Sequence, residues 1–458
     1  MKTIDAAMLW TPTGWQADAG LDIDDHGRIT AIQTAEPTAC ARWIVPGIAN
    51  LHSHAFQRAM AGMAEHQTKP ANASLGSHEQ HDSFWTWRET MYRFAARFDP
   101  DSLQAVAAQL YVEMLEAGYT TVCEFHYLHH APNGRPYADP AAMSRALIAA
   151  ARETGIRLTL LPVLYMTGGF DGRALGERQK RFGHQVDAYL RLLDTLRAEE
   201  NAMLRIGCAL HSLRAVPPEA MRTVLAALPK ESRVHIHIAE QIGEVQDCMA
   251  LRNARPVEWL LANAEVDARW TLVHATHLTG AETLGVARSG ATVAICTTTE
   301  ANLGDGLFPL HDYLDAGGAW GVGSDSHISV SPIEELRWLE YGQRLITRHR
   351  NIAVRPDSSS VGETLLRDAM ASAARSSGHP IGTLATGEYA DYLVLDTDAP
   401  AFAGVHAGDA IDRWIFAGNR NLVRDVFVGG EQVVANGQHR HSDAIAARYR
   451  ETLQALLV

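Results

Sequence analysis

The sequence predicts an α/β fold, in which a (β/α)8 TIM-like barrel is joined to a small β-sandwich domain built from both chain termini. Eight short apolar runs recur through the middle of the chain, and stretches long enough for a crossover helix separate most of them. Such near-continuous apolar runs are typical of parallel strands buried on both faces. β-like segments with turn signals lie at both ends of the chain. No Gly-x-Gly-x-x-Gly follows a run, which disfavours an open dinucleotide-binding sheet.

The terminal segments predict the small domain. Residues 1–45 alternate short β-like runs with turn signals at 11–14 and 24–27. Near the other end, residues 392–395 are a strand candidate, and Gly429 with Gly430 separates two further runs as in a hairpin. We therefore expect residues 1–46 and 385–458 to form this domain, with a C-terminal helix, and residues 47–384 to form the catalytic barrel.

The middle of the chain supplies the helices and strands of the barrel. Asp99 followed by Pro100 is typical of a helix N-terminus, and Gly118 ends the apolar repeat that begins at Leu103. The predicted barrel strands are residues 43–48, 121–125, 158–164, 204–210, 234–238, 271–273, 292–296 and 320–323.

Composition narrows the class of protein. The 458 residues include 40 Lys and Arg against 53 Asp and Glu, a formal charge of −13 that disfavours nucleic-acid binding. The five cysteines are scattered without a Cys-x-x-Cys pair, so we expect neither a disulfide framework nor a thiolate metal site. With no 18-residue apolar stretch and no signal-peptide core near residue 1, we expect a cytoplasmic protein that does not bind membranes.

Histidines at the predicted strand ends point to a metal site. His52 and His54 share one strand face at the end of the first run, and His237 lies near the end of the fifth, with His235 deeper as a core histidine. Asp325 follows the eighth run. Because active sites of such barrels lie at the C-terminal strand ends, we expect these three imidazoles and one carboxylate to bind one divalent ion, Zn²⁺ above all.

Two further groups follow neighbouring strands as acid–base candidates. Glu240 lies three residues beyond His237, and His274 ends the sixth run. Together with Asp325 they are the predicted catalytic residues.

The residues 46–54, His237, His274 and 323–325 resemble, in order and spacing, the amidohydrolase superfamily. The resemblance covers essentially the whole chain and implies a metal held by His52, His54, His237 and Asp325. Dinuclear members carry a bridging carboxylated lysine at strand 4. Residues 210–214 contain no lysine, so the resemblance implies one ion.

Residues 54–59, 84–88, 124–127, 211–214 and 237–241 are similar to a narrower group within the superfamily. Its members hydrolyse N-formimino-L-glutamate to N-formyl-L-glutamate and ammonia in histidine degradation. The implied partner is a small dicarboxylate, for which Arg88 and Arg214 are the predicted clamps. The resemblance adds hydrogen bonds from Gln57, Tyr127 and His211.

Several alternatives stay open. An aminohydrolase of a purine or pyrimidine ring (guanine, cytosine or S-adenosylhomocysteine deaminase type) would share the ligands but need an aromatic slot. A catalytically inactive barrel acting as a binding subunit would tolerate the loss of a metal-binding or proton-transferring residue, and none of these residues is missing. The polar stretch 65–83 is either a surface loop or an active-site lid. The apolar stripe Ile445, Tyr449, Leu453 and Leu456 could serve a dimer or pack on the barrel, and we expect a homodimer.

Overall fold

The computed structural model describes residues 2–35, 42–66, 82, 84–356 and 358–458. Most of the stretch considered as a lid, residues 67–81 and 83, lies outside these ranges. Among the helices described, we find none that is long and apolar enough to cross a membrane.

The strands and helices alternate through the middle of the chain. The strands are β1 (Lys2–Thr11), β2 (Gly14–Ile23), β3 (Ile29–Thr34), β4 (Trp43–Pro46), β5 (Ile48–Ser53), β6 (Tyr119–His126), β7 (Arg157–Leu164), β8 (Leu204–Ile206), β9 (Cys208–Ser212), β10 (Val234–Ile238), β11 (Trp270–His274), β12 (Thr292–Ile295), β13 (Ala319–Val322), β14 (Tyr392–Leu395), β15 (Val423–Val428), β16 (Glu431–Ala435) and β17 (Gln438–His439). The α-helices are α1 (Phe84–Ala95), α2 (Pro100–Ala117), α3 (Ala142–Thr154), α4 (Val186–Arg197), α5 (Pro218–Ala227), α6 (Ile242–Arg252), α7 (Pro256–Asn263), α8 (Gly280–Ser289), α9 (Thr297–Leu303), α10 (Leu310–Asp315), α11 (Pro332–Thr347), α12 (Val361–Ala371), α13 (Ala373–Ser377), α14 (Ala410–Phe416) and α15 (Ser442–Leu457). Short 3₁₀ helices cover Ala55–Met60, Glu177–Phe182 and Pro400–Phe402.

Parallel strands form the predicted barrel. The order is β5-β6-β7-β9-β10-β11-β12-β13, with β8 beside β7. Two backbone hydrogen bonds close the barrel between β5 and the segment after β13. Asp325 N–H donates to the His52 carbonyl (3.0 Å), and His54 N–H donates to the Asp325 carbonyl (3.1 Å). The closure places the ends of the first and last strands side by side.

Two of the predicted strands differ from the structure. Residues 43–48 do not form the first barrel strand: 43–46 are β4 of the small sheet, and the barrel begins at Ile48. The change of sheet falls at Gly47, where a Cβ would lie 2.3 Å from Thr120 Oγ1, so only glycine allows this approach. The predicted strand 204–210 is instead two strands, β8 and β9, which are separated at Gly207. A Cβ at this position would lie 2.5 Å from Leu161 Cδ2, so the backbone here packs closely on β7.

The helix predicted from Asp99 to Gly118 is confirmed as α2. The Asp99 carboxylate accepts a hydrogen bond from Ser102 N–H (2.8 Å), and Pro100 occupies the first turn. Gly118 ends the helix with φ of +107°, in the left-handed region that favours glycine.

The small domain draws its strands from both ends of the chain, as predicted. Its described part is one mixed sheet in the order β17-β16-β15-β14-β4-β1-β2-β3 rather than two separate sheets. Buried side chains of β1, β2, β4 and β14 form a separate apolar cluster. The boundaries predicted for the two domains stay a prediction.

The apolar stripe of α15 packs on the barrel. Ile445 and Leu456 are buried, and Tyr449 and Leu453 pack against the same main core. Arg448 adds an ion pair to Glu153 of α3 (2.7 Å). The stripe is therefore used within the chain.

Candidate active site

The four predicted metal ligands meet at the C-terminal end of the barrel. The Nε2 atoms of His52, His54 and His237 form a triangle with sides of 3.0, 3.1 and 3.3 Å. Asp325 Oδ1 lies 3.2 Å from both His52 Nε2 and His54 Nε2. Ligand atoms bound to one zinc ion at about 2.0–2.1 Å in a tetrahedral arrangement lie about 3.3–3.4 Å apart. The observed spacing is close to that value.

Hydrogen bonds at the Nδ1 atoms leave the Nε2 atoms of two of these rings facing each other. His54 Nδ1 donates to the Phe125 carbonyl (2.8 Å), and His237 Nδ1 donates to the His211 carbonyl (2.9 Å). Because a carbonyl only accepts, Nδ1 carries a proton in each ring, and in the form that binds metal the two Nε2 atoms present lone pairs to each other. Two lone pairs 3.3 Å apart repel unless a positive charge lies between them. The donor set therefore fits a divalent metal ion.

Burial favours the neutral form of His52 and His237, which is the form of imidazole that binds metal. It lowers the pKa of His52 to about 3 and that of His237 well below its usual range.

His235 lies apart from the cluster that contains His237, as predicted from the sequence. Its Nε2 donates to the Ser376 carbonyl (3.0 Å) deeper in the barrel, and the residue is fully buried. His237, two residues further along β10, reaches the strand end and joins the cluster.

The predicted acid–base groups lie beside the four predicted metal ligands. His274 Nε2 is 3.8 Å from Glu240 Oε1 and 4.0 Å from Asp325 Oδ2. His274 and Asp325 both have positive φ, +68° and +45°, a conformation that non-glycine residues rarely adopt. Such strain is common where a strand end must aim a side chain at a reacting group.

Burial and neighbouring charges shift the pKa values of Glu240 and His274. Burial raises the pKa of Glu240, which favours a carboxyl that holds a proton. Burial alone would lower the pKa of His274, but the facing carboxylates of Glu240, Glu300 and Asp325 raise it to about 10. The arrangement can hold and move protons between a carboxyl and an imidazole.

The predicted substrate residues line one cavity together with three of the predicted metal ligands and the acid–base groups. It is bounded by Gln57, Arg88, Tyr127, His211 and Arg214, and by His54, His237, Glu240, His274 and Asp325. Aromatic side chains also line it, among them Trp87, Tyr92, Tyr165 and Phe182.

Both neutral and cationic groups line the cavity wall. Gln57 Nε2 donates to the Tyr127 hydroxyl (2.8 Å), and the Arg88 guanidinium lies over the Tyr92 ring at 5.0 Å. Burial, helped by the charges of Arg214 and Arg88, lowers the pKa of His211 well below its usual range. His211 is therefore a neutral hydrogen-bonding group beside two cations.

Two buried carboxylates that support the site were not among the predicted residues. Glu300 Oε1 accepts from His274 Nδ1 (3.2 Å), which orients the imidazole. Glu124 accepts from Ser53 Oγ (2.5 Å) and Ala55 N–H (2.7 Å), which fixes the turn after His54. The signal for Glu300 was its position, five residues beyond the end of the seventh strand.

Comparison with known proteins assigns a family to this geometry. The model of the amidohydrolase family matches residues 43–433. The chain belongs to the amidohydrolase family. The predicted superfamily resemblance is thus confirmed, and so is the barrel with its terminal β domain.

Individual amidohydrolases match over the full chain. It is 49% identical over 462 residues to a formimidoylglutamate deiminase of Pseudomonas aeruginosa, with all of both chains covered. The crystal structure of an amidohydrolase from Brucella melitensis superposes with a TM-score of 0.93 at 42% identity, again over all of both chains. An adenosine deaminase from Xanthomonas campestris with bound zinc shares the fold at 20% identity, with a TM-score of 0.81 over 99% of this chain and 98% of that one.

Proposed function

We propose that this amidohydrolase hydrolyses N-formimino-L-glutamate to N-formyl-L-glutamate and ammonia, a step of L-histidine degradation. The reaction adds water across the formimino C=N bond and then breaks the bond from that carbon to the terminal nitrogen. The observation that carries the proposal is the 49% identity to a formimidoylglutamate deiminase along the whole chain. The pair Arg88 and Arg214, in the same cavity as the metal cluster, suits a substrate with two carboxylates.

The metal in this proposal is one divalent ion per chain, Zn²⁺ above all, held by His52, His54, His237 and Asp325. When bound, such an ion activates water as a nucleophile and, by its positive charge, lowers the pKa of the neighbouring His274. Bound zinc in a structural neighbour of the same fold supports the identity of the metal.

The protein groups handle the protons. His274 Nε2 and Asp325 Oδ2, 4.0 Å apart, orient the water and take its proton, while Glu300 holds the His274 ring through Nδ1. Glu240, whose raised pKa lets it hold a proton, donates to the formimino nitrogen so that ammonia leaves.

The cavity wall binds the rest of the substrate. Arg88 and Arg214 bind the carboxylates through their planar guanidinium forks, and Gln57, Tyr127 and His211 add hydrogen bonds. The aromatic rings support these groups: Tyr92 lies under the Arg88 guanidinium, and Phe182 contacts Tyr127 with ring centroids 5.1 Å apart.

The metal stoichiometry is the first test. We expect about one tightly bound divalent ion per chain, because within the described ranges one cluster offers four facing ligand atoms, which is enough to hold one ion. Inductively coupled plasma mass spectrometry on the purified protein measures the ratio. Two ions per chain, or full activity after complete chelation, would contradict a mononuclear site.

The second test concerns the arginines. Arg88→Met or Arg214→Met leaves one substrate carboxylate unpaired in a partly closed cavity, which costs about 2–5 kcal/mol, or tens- to thousands-fold in kcat/KM. Arg→Lys also lowers kcat/KM because an ammonium cannot replace the fork. Kinetics of ammonia release measure the effect, with metal content checked in parallel.

Arg222→Met is the matched control, since Arg222 lies on the outer helix α5 and pairs there with Glu219. Activity within about threefold of the wild type in both cavity variants would overturn the dicarboxylate assignment. The same ammonia assay on guanine and cytosine then tests the ring-deaminase alternative directly.

The domain boundaries at residues 46/47 and 384/385, the homodimer and the cytoplasmic location belong to the same proposal. They are drawn from the sequence and from the kind of metabolic enzyme that the chain resembles.

A further inference from the structure

Tyr165 is a cavity residue to which neither the sequence nor the proposed mechanism gives a role. It follows the end of β7, and the residue is 3% exposed. Its ring packs edge-on against the His211 ring, with centroids 4.3 Å apart, and it lines the cavity beside Arg88 and Arg214.

Both recorded hydrogen-bond partners of the Tyr165 hydroxyl are donors. Arg88 Nη2 donates to it at 3.1 Å, and a guanidinium has no acceptor. Gln179 Nε2 donates to it at 2.9 Å. The orientation of this amide is settled by its other end, because Gln179 Oε1 accepts the backbone N–H of Gly176 at 3.0 Å.

A phenol oxygen accepts at most two hydrogen bonds and donates one. The two donors occupy both lone pairs of the Tyr165 oxygen, so its own proton needs a third partner. Across the described ranges, the structure records no acceptor for that proton. A buried O–H without an acceptor costs free energy, which a ligand with an anionic oxygen at this position would recover.

We propose that the Tyr165 hydroxyl donates a hydrogen bond to the substrate carboxylate that Arg88 binds. Arg88 and Tyr165 then form one carboxylate clamp, with a cation and a neutral donor held 3.1 Å apart. Gln179 is a positioning residue: by donating to the tyrosine oxygen, it forces the tyrosine to donate onward. This clamp rests on the proposed function, since it needs a substrate with a carboxylate.

Tyr165→Phe removes the hydroxyl and keeps the ring that packs on His211. We expect kcat/KM for N-formimino-L-glutamate to fall about 10- to 100-fold, as for a lost hydrogen bond to a charged group, with most of the change in KM. The same variant is then assayed on N-formimino-4-aminobutyrate and N-formimino-L-2-aminobutyrate. Each of these compounds lacks one of the two carboxylates.

The clamp predicts that the loss shrinks to within about threefold on one truncated compound and persists on the other. That pattern would also identify which carboxylate the clamp holds. An equal loss on all three compounds, or no loss on N-formimino-L-glutamate, would overturn the clamp.

Gln179→Glu gives a second, independent readout. It replaces the donor to Tyr165 by an acceptor, so the tyrosine proton turns towards residue 179 and away from the substrate. We expect a kcat/KM loss at least as large as that of Tyr165→Phe, with Gln179→Met intermediate. Wild-type kinetics in Gln179→Glu would contradict the positioning role.

Tyr137→Phe serves as the matched control, because Tyr137 lies outside the cavity. The wild-type assay separates the two hypotheses. If the wild type releases no ammonia from N-formimino-L-glutamate, the proposed function fails. If the wild type is active and Tyr165→Phe matches it, the clamp alone fails.

Discussion

Glu240→Gln lowers turnover of N-formimino-L-glutamate by about 10²–10⁴-fold while the metal content stays at the wild-type level. Glutamine keeps the size of the side chain but cannot deliver a proton to the leaving nitrogen. Without that proton the nitrogen would have to leave as an anion. Glu240 supplies none of the four facing ligand atoms, so the ion should stay bound. Single-turnover ammonia release with parallel metal analysis measures both quantities.

Glu244→Gln distinguishes Glu240 from its neighbour. Glu244 lines the same cavity, its Oε2 accepts the Glu240 N–H at 3.1 Å, and burial raises its pKa to about 7. We expect this variant to retain turnover within about tenfold, because Glu244 supports the Glu240 backbone and does not contact His274. A large loss in Glu244→Gln with near-normal turnover in Glu240→Gln would assign the proton to Glu244 instead.

The four residues of the proposed metal site could be predicted from the sequence because their signal is local. His52 lies near the end of β5 and His54 directly follows the strand, so their side chains face one side. His237 lies near the end of β10, and Asp325 follows β13. In a parallel barrel all strand ends meet at one rim, so position along each strand was enough to bring the four together.

Tyr165 and Gln179 have no such local signal. Their side chains meet at one hydroxyl, but the two residues lie on different segments of the chain. Which polar side chain turns inward there depends on loop geometry and on hydrogen-bond direction, and neither has a period in the sequence. The misplaced first strand has a related cause, because two apolar runs of different sheets adjoin at Gly47.

The two cavity arginines were predicted from the resemblance and not from residue spacing. Arg88 lies on α1 and Arg214 follows β9, and nothing in their spacing says that both side chains enter one cavity. Motifs shared with a narrower group of deiminases selected these two among many arginines. The structure brings them together around the metal cluster, and the roles proposed for them await the kinetic tests.

Asp325→Asn is expected to abolish measurable turnover, a loss of at least about 10³-fold, and to lower the metal content. The carboxylate is the anionic member of the cluster, and its Oδ1 lies 3.2 Å from both His52 Nε2 and His54 Nε2. Its Oδ2 faces His274 at 4.0 Å, so the same substitution removes a proton acceptor. An amide oxygen is a much weaker ligand for zinc than a carboxylate.

Asparagine is chosen because the backbone at this position has φ of +45°. Asparagine tolerates this left-handed conformation better than alanine, so the fold and the barrel closure through the Asp325 backbone should survive. Circular dichroism and thermal unfolding check this point. Asp312→Asn, at an exposed carboxylate of α10, is the matched control. Turnover within tenfold of the wild type, with one ion still bound per chain, would show that Asp325 is neither a required ligand nor the proton acceptor.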